Sequence, residues 1–523
     1  MRPATWQPPV ETSAAEEQII KRIKRAKLFI FLRRHRHHLF TPEFQVELAG
    51  LYKDAAPGHP PVPPALLALA LILQAYTGVS DDEVIEATVM DRRWQLVLDC
   101  LDAVTPPFSK GTFVAFRTRL IEQQMDRRLL ERTTEIAAAS KVFGPRNLRA
   151  ALDSSPLWGA GRVEDTYNLL GHALRKALGV IAREQGWELA AIAQAADAEL
   201  VAGSSLKAVL DLDWDDPTAR AQALGQGIGT LERVEQWLAA QPALLREQSS
   251  VPGCLAAAQQ VLKQDVTTNE AGAPTLLQGV AKNRRISIED PAMRHGRKSR
   301  SVRVDGYKRH VLRDLDSELV VAVGLTPANA PEASVAEGIK SDLKQQQRTL
   351  KELHIDRAYL ASTLVSERSS ELEIFCKAWP VRQGPFFPKT AFVVDWERQR
   401  LRCPQGVELS CQPGQTVHFP PATCAACPQR SRCTSSKRGR SVSLHADEQL
   451  LQELRVRQGT SEGRATLRER VGVEHDLAHI GHWQGDRARY KGERKNLLDL
   501  RRCAVVNNLH IFARRPEIIA QAA

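Results

Sequence analysis

Nowhere in the 523 residues is there an uninterrupted apolar run of about 18 residues, the length a membrane helix needs. The N-terminus also lacks the basic, apolar and small-residue order of a secretory signal. The expectation is a soluble, cytoplasmic protein with no membrane partner. Acidic side chains are outnumbered, 61 against 72 basic ones, giving a net charge of +11 and a pI near 9.3. That balance suits a polyanionic partner, though many basic proteins bind no nucleic acid. Cysteine is sparse outside one stretch: of nine, five fall within 403–433. The length is too great for one ordinary domain and points to two or three.

What the chain does have is carboxylates at the ends of strand-like runs. The run 148–152 stops at Asp153 ahead of turn residues and reads as a buried strand ending in that acid. The run 350–355 ends the same way in Asp356 and passes straight into a helical pattern. In 467–483, Val473, Leu477 and Ile480 form a stripe at i, i+4 and i+7. Glu474 lies beside that stripe, where a helix packed on a sheet turns a carboxylate toward the two aspartates. Glu469, Asp476 and Glu493 are expected to be solvated or paired. An isolated strand-end Asp is more often a turn former, but three acids on separate elements can converge. Oxygen ligands are what Mg²⁺ selects, and two such ions activate a nucleophile and stabilise a leaving oxygen in phosphoryl transfer.

The order of elements supports convergence. A strand at 148–153, a hairpin of 307–314 and 318–325, a helix over 332–346, a strand at 351–356, a helix at 358–369 and a strand at 372–378 give β-β-β-α-β-α-β. That is the order of a ribonuclease H-like mixed-sheet core, in which Asp153 and Asp356 lie on neighbouring strands. Two like charges side by side need a cation. The fold class expected is α+β, with an all-α N-terminal region and two insertions.

Three blocks carry a resemblance. Asp-Ser-Ser-Pro-Leu-Trp-Gly-Ala-Gly-Arg-Val-Glu-Asp-Thr-Tyr-Asn-Leu-Leu (153–170), Ile-Asp-Arg-Ala-Tyr-Leu-Ala-Ser (355–362) and Val-Glu-His-Asp-Leu-Ala-His-Ile (473–480) occur in that order, followed by Ala-Arg-Tyr-Lys-Gly (488–492). They resemble the active-site blocks of bacterial insertion-sequence transposases of the DDE type, over nearly the whole chain. The resemblance implies Asp153, Asp356 and Glu474 as catalytic carboxylates holding two Mg²⁺ ions, with Mn²⁺ able to substitute. It implies cleavage at insertion-sequence ends and strand transfer into target DNA, with double-stranded DNA as partner and a homodimer on it. Arg470 stands where the family pattern expects an arginine. Leu467 replaces an expected tyrosine and Gly481 an expected lysine, both positions that handle element ends in the family. End binding is then expected at Arg487, Arg489, Tyr490 and Lys491, or activity is reduced. A stand-alone nuclease on the same fold and a catalytically silent, transposase-derived DNA-binding protein are the alternatives.

The basic residues cluster. Residues 18–38 include Arg22, Arg25, Arg33 and Arg34 threaded with apolar side chains, which is either a partly buried helix with a solvated basic face or a phosphate-contacting surface. Helical patterns around it make 1–140 a compact all-α domain, and the resemblance implies that this helical domain binds DNA. The catalytic domain, 147–515, is interrupted by a helical insertion at 165–283, where Leu169, Ala173, Ala177 and Ile181 share one face. A basic stretch from Arg284 through Arg300 to Arg303 leads into the hairpin, where Lys308 is a further candidate DNA contact. The second insertion, 395–445, is cysteine-rich and zinc ribbon-like. Cys424-Ala-Ala-Cys427 with Cys403 and Cys433 on either side is tetrahedral Zn²⁺ spacing, and Cys411 has no partner at knuckle spacing. Free thiols are the alternative.

Overall fold

The computed structural model describes residues 2–53, 60–140, 147–243, 250–270, 272–298, 301–381 and 384–522; Arg300 lies outside them. Its centre is one mixed sheet whose strands are numbered here β1 (Asn147–Trp158), β2 (Arg294–Arg297), β3 (Arg303–Asp314), β4 (Val320–Pro327), β5 (Thr349–Ile355) and β6 (Glu373–Phe375). The order is β2-β3-β1-β5-β6, with β4 also on β3. β3 runs antiparallel to β1, and β5 runs parallel to β1 and β6. β4 is an almost fully buried apolar run, as a strand covered on both faces must be.

Side chains alternate across β1 and β3, so two faces are built from interleaved residues. Ala150, Leu152 and Leu312 pack with Ile339 and Leu343 of the helix Ala336–Gln345. Ala151 and Val311 join the opposite core, with Val473, Leu477 and Ile480. The helix expected over 358–369 exists only as two short turns, Arg357–Tyr359 and Thr363–Ser366, because Ser362 restarts the helix and the polar run after Ser366 has little to bury.

Four helices matter for the site and are named α1 (Lys27–Leu39), α2 (Pro64–Thr77), α3 (Val471–Gln484) and α4 (Glu493–Arg514). α2 starts on Pro64, where a missing N–H costs nothing, and ends at Gly78 in the left-handed conformation (φ 74°). It is the rod of the N-terminal helical core and is buried from Pro64 to Ala75. That core does not stop at residue 140. α4 is buried on nearly all sides, so it needs partners all round, and its Leu500, Val505, Leu509 and Phe512 share one apolar cluster with Leu28, Leu69, Phe113 and Ile136. Asn508 pins it by donating to Thr133 Oγ1 and the Val320 carbonyl, both at 2.9 Å.

Between β1 and β2 the chain forms helices, the longest Thr166–Gln185, Pro217–Ala239 and Val251–Asp265, around their own core. Leu169, Ala173, Ala177 and Ile181 are buried as their spacing requires. After β6, short ladders at Val393–Asp395, Arg400–Arg402 and Glu408–Ser410 surround a small cluster of Phe392, Leu401, Cys411, Phe419 and Val442. No single helix among the described residues is long and apolar enough to cross a membrane.

Candidate active site

The register of β1 against its two neighbours creates the site. Parallel pairing with β5 ends at the rung Leu152 to Ile355, so Asp153 and Asp356 are the next residues on adjacent strands. β1 itself does not end there. It continues along β3 to Trp158, opposite Gly306, and Asp153 faces Val311 within the strand, not at its terminus as the turn-forming Ser-Ser-Pro suggested. The strand pair supplies the backbone partners that a turn would have supplied locally. Gly306 is required: a Cβ there would lie 2.3 Å from the Gly159 nitrogen.

Asp153 shares a face with Ala151, the face α3 covers, and Glu474 sits in the first turn of α3. Arg470, just ahead of that helix, donates to Asp153 Oδ2 at 2.5 Å and to Glu474 Oε1 at 2.7 Å. Asp356 Oδ1 accepts the Arg357 N–H at 2.7 Å, capping the turn that follows. Burial pushes the Asp153 carboxyl above its ordinary range, with Arg470 pulling it down and Glu474 adding to the rise. All three acids line one cleft of about 1010 Å³, together with Lys308 and Arg309 of β3 and Arg297 and Lys298 on its rim. A second cleft of about 530 Å³ meets the first at Asp356, Arg470 and Glu474 and carries Lys377, Arg464 and Arg468.

Three supporting residues escaped the sequence reading. His310 is fully buried on β3, its Nδ1 2.7 Å from Tyr359 Oη and its Nε2 2.9 Å from Thr326 Oγ1. Burial holds its pKa near 3, so it is a neutral hydrogen-bonding post. The same burial pushes the Tyr359 hydroxyl well up. Arg309 is the third. A strand-like pattern marks such residues as buried or exposed but says nothing of which cleft they meet.

Oxygen donors on three elements are the set a hard divalent cation takes. As placed, though, no three His, Cys, Asp or Glu side chains among the described residues stand close enough to hold a metal ion. The guanidinium of Arg470 is what now neutralises Asp153 and Glu474. The donor types fit a divalent cation, while their placement, with Arg470 between Asp153 and Glu474, does not gather them.

The expected DNA contacts divide. Arg22, Arg25, Arg34 and Arg487 are exposed, and Arg34 has only a distant partner, Glu17 at 3.9 Å. Lys308 sits in the cleft, bonded to the Ala330 carbonyl and to Glu332. Lys491 pairs with Glu289 at 2.6 Å. Arg33 is a correction. It is fully buried in α1, donating to both Glu16 oxygens and to the Val10 and Glu11 carbonyls, so no phosphate can reach it. Arg489 and Tyr490 are likewise committed inward. Arg489 donates to the Gly78 and Val79 carbonyls, and the Tyr490 hydroxyl is held by Arg117 at 2.9 Å and Arg502 at 3.1 Å. These contacts tie the segment after α3 to the N-terminal helices.

Cys403, Cys424, Cys427 and Cys433 line one recess of about 250 Å³. Cys411 does not; it is buried in the adjoining apolar cluster. Burial raises the Cys433 thiol, and its three neighbouring cysteines add to the rise.

Two family models match parts of the chain. One, described as a transposase DDE domain, covers residues 402–512 and so includes Glu474; the other, a transposase domain (DUF772), covers residues 17–119 in the N-terminal helices. Asp153 and Asp356 lie outside both. No curated protein and no solved structure matches the chain.

Proposed function

From its membership of the insertion-sequence DDE transposases, we propose that this protein cuts DNA at the ends of an insertion sequence and joins the freed ends to target DNA. The observation that carries the reading is that Asp153, Asp356 and Glu474, from two strands and a helix, line one cleft edged with cations. The sheet agrees with it. Counting along the chain without the edge strand β2, the strand order is 3-2-1-4-5, that of a ribonuclease H-like core.

In this reading a phosphodiester at each element end is hydrolysed, and the freed 3′-hydroxyl then attacks a phosphodiester of the target. Asp153, Asp356 and Glu474 would hold the divalent cations, Mg²⁺ or Mn²⁺, which supply Lewis-acid activation of the attacking oxygen and stabilisation of the leaving one. Arg470 is a placeholder that must leave Asp153 and Glu474 first, and it is then free to meet a phosphate. Lys308 steadies the strand in the cleft. Arg22, Arg25, Arg34, Arg487 and Lys491 are surface cations for the duplex backbone, whose contacts position the protein without reading sequence. Two element ends call for two copies of the chain. Cys403, Cys424, Cys427 and Cys433 would hold one structural Zn²⁺, four thiolates being its usual closed set.

The test uses full-length protein and a labelled duplex carrying the element's terminal repeat. With Mg²⁺ it should cut and then join the 3′ end to a plasmid. Asp153→Asn, Asp356→Asn and Glu474→Gln should each abolish cutting while binding in Ca²⁺ persists. Cutting without joining would favour the stand-alone nuclease, and normal cutting by Glu474→Gln would remove that residue from the site.

A further inference from the structure

β3 sends two arginines to the face that α3 covers, Arg309 and Arg313, either side of the buried Val311. Each crosses α3 at a glycine. A Cβ on Gly472 would lie 3.0 Å from Arg313 Nε, and one on Gly481 would lie 3.2 Å from Arg309 Nη2. There the likeness ends. Arg313 meets an acid of the helix, Asp476, at 2.9 Å. Arg309 meets none: its Nε donates to Ser155 Oγ at 2.8 Å, and its Nη1 to Gln484 Oε1 at 3.1 Å and the Gly485 carbonyl at 3.0 Å, all neutral acceptors. Among the described residues no Asp or Glu oxygen lies within 4.0 Å of it. Asp486 and Asp499 act on it only from farther away, and burial lowers its pKa.

A charged residue that is only 4% exposed and whose guanidinium has no ion-pair partner is expensive to keep. The neutral bonds engage Nε and Nη1 and leave over Nη2, the nitrogen nearest Gly481, and both residues line the cleft. We propose that Arg309 is the seat of one backbone phosphate of the DNA strand in the cleft, the missing anion being supplied by the substrate. Arginine's planar fork suits a phosphate, and a preoriented fork loses little freedom on binding. The position is also right. Ser155, opposite Arg309, is two residues beyond Asp153 on the same face of β1, a separation of roughly 7 Å at the usual strand rise. The seated phosphate is therefore a neighbour of the one at the carboxylates. A side chain at Gly481 would crowd the guanidinium, its Cβ lying 3.2 Å from Nη2. The cation that the family pattern places on the helix at 481 comes instead from the strand beneath it.

This inference rests on the DNA reading above, and its test separates the two. Duplex affinity of the full-length protein is measured in Ca²⁺ across a salt series for wild type, Arg309→Gln and a surface control outside the cleft, Arg398→Gln. Arg309→Gln should bind about tenfold more weakly, and the slope of log affinity against log salt should flatten by about 0.9, one phosphate's worth. Arg398→Gln should leave affinity and slope within about threefold of wild type. Because loss of Arg309 also removes bonds to Ser155 and Gln484, a methylphosphonate scan perturbs only the DNA. One phosphate near the scissile position should, when neutralised, weaken wild type about tenfold and leave Arg309→Gln unaffected. A wild type that binds no duplex overturns the DNA reading itself. A wild type that binds, beside an Arg309→Gln protein of equal affinity and slope with no coupled phosphate, overturns the assignment of Arg309 alone.

Discussion

Arg33→Met is the substitution that best separates a structural arginine from a DNA-binding one. In α1 the Arg33 guanidinium donates to Glu16 at 2.5 and 2.8 Å, to the Glu11 carbonyl at 2.8 Å and to the Val10 carbonyl at 3.1 Å. Removing it leaves a carboxylate of 6% exposure and two carbonyls without their donor. Breaking a buried pair on one side costs about 3–5 kcal/mol. Glu16 keeps its bond from the Ser13 N–H, which places the cost near the lower figure, about 3 kcal/mol. At roughly 2–4 °C per kcal/mol for a unit of this size, the first melting transition should fall by about 6–12 °C. The partner sets a pH signature. The Glu16 carboxyl is held below its ordinary value by Arg33 and the Ser13 N–H, which together outweigh the opposing effect of burial. A depressed acid contributes stability above its unfolded pKa that is lost as pH falls through its folded one. Wild type and variant should therefore differ most near neutrality and converge in acid. Scanning fluorimetry from pH 7 to 3 reads this, and filter binding at a temperature where both are folded reads DNA affinity. The variant should bind DNA like wild type, whereas Arg34→Met, on the surface, should keep its melting point and lose affinity. An Arg33→Met protein that melts with wild type but binds DNA poorly would refute the structural assignment.

Three further outcomes follow from the site and its surroundings. Since burial raises the Asp153 carboxyl and Arg470 is the largest opposing influence, NMR of metal-free protein should show Asp153 titrating above the ordinary aspartate range, and higher still in Arg470→Gln; an ordinary value in both would refute the burial argument. A raised acid favours the fold in its protonated form, so stability is lost as pH rises through the shifted value, and Asp153→Asn should melt no lower than wild type at pH 7. Purified protein should carry about one Zn²⁺ per chain, retained in Cys411→Ser and lost when Cys424 and Cys427 are both changed to Ser; plasma emission spectrometry decides it. Residues 1–140 expressed alone should be insoluble or partly folded by near-UV circular dichroism, because α4 completes their core, and a cooperative melt of that fragment would show that the core closes without it.

Periodicity decides which faces are buried, and the sequence alone therefore carried much of this protein. The stripe of Val473, Leu477 and Ile480, the helical spacing after Leu169 and the proline start of α2 follow from local pattern, the pairing of the runs that lead into Asp153 and Asp356 follows from the order of elements, and all are seen. Cys403, Cys424, Cys427 and Cys433 line one recess without Cys411, but no three of them stand close enough to hold a metal ion. What local pattern does not contain is the destination of a long charged side chain. Arg33 and Arg34 are neighbours in one basic run, yet one is sealed and the other solvated, because adjacent helix positions point about 100° apart. Arg489 and Tyr490 look like a DNA track and instead bolt the segment after α3 to the N-terminal helices. Arg470 joined to Asp153, Arg309 across Gly481 and the sharing of one core by residues 20–137 with α4 all join positions far apart in the chain. Such contacts are set by which surfaces meet when the chain closes, and only the tertiary structure decides that.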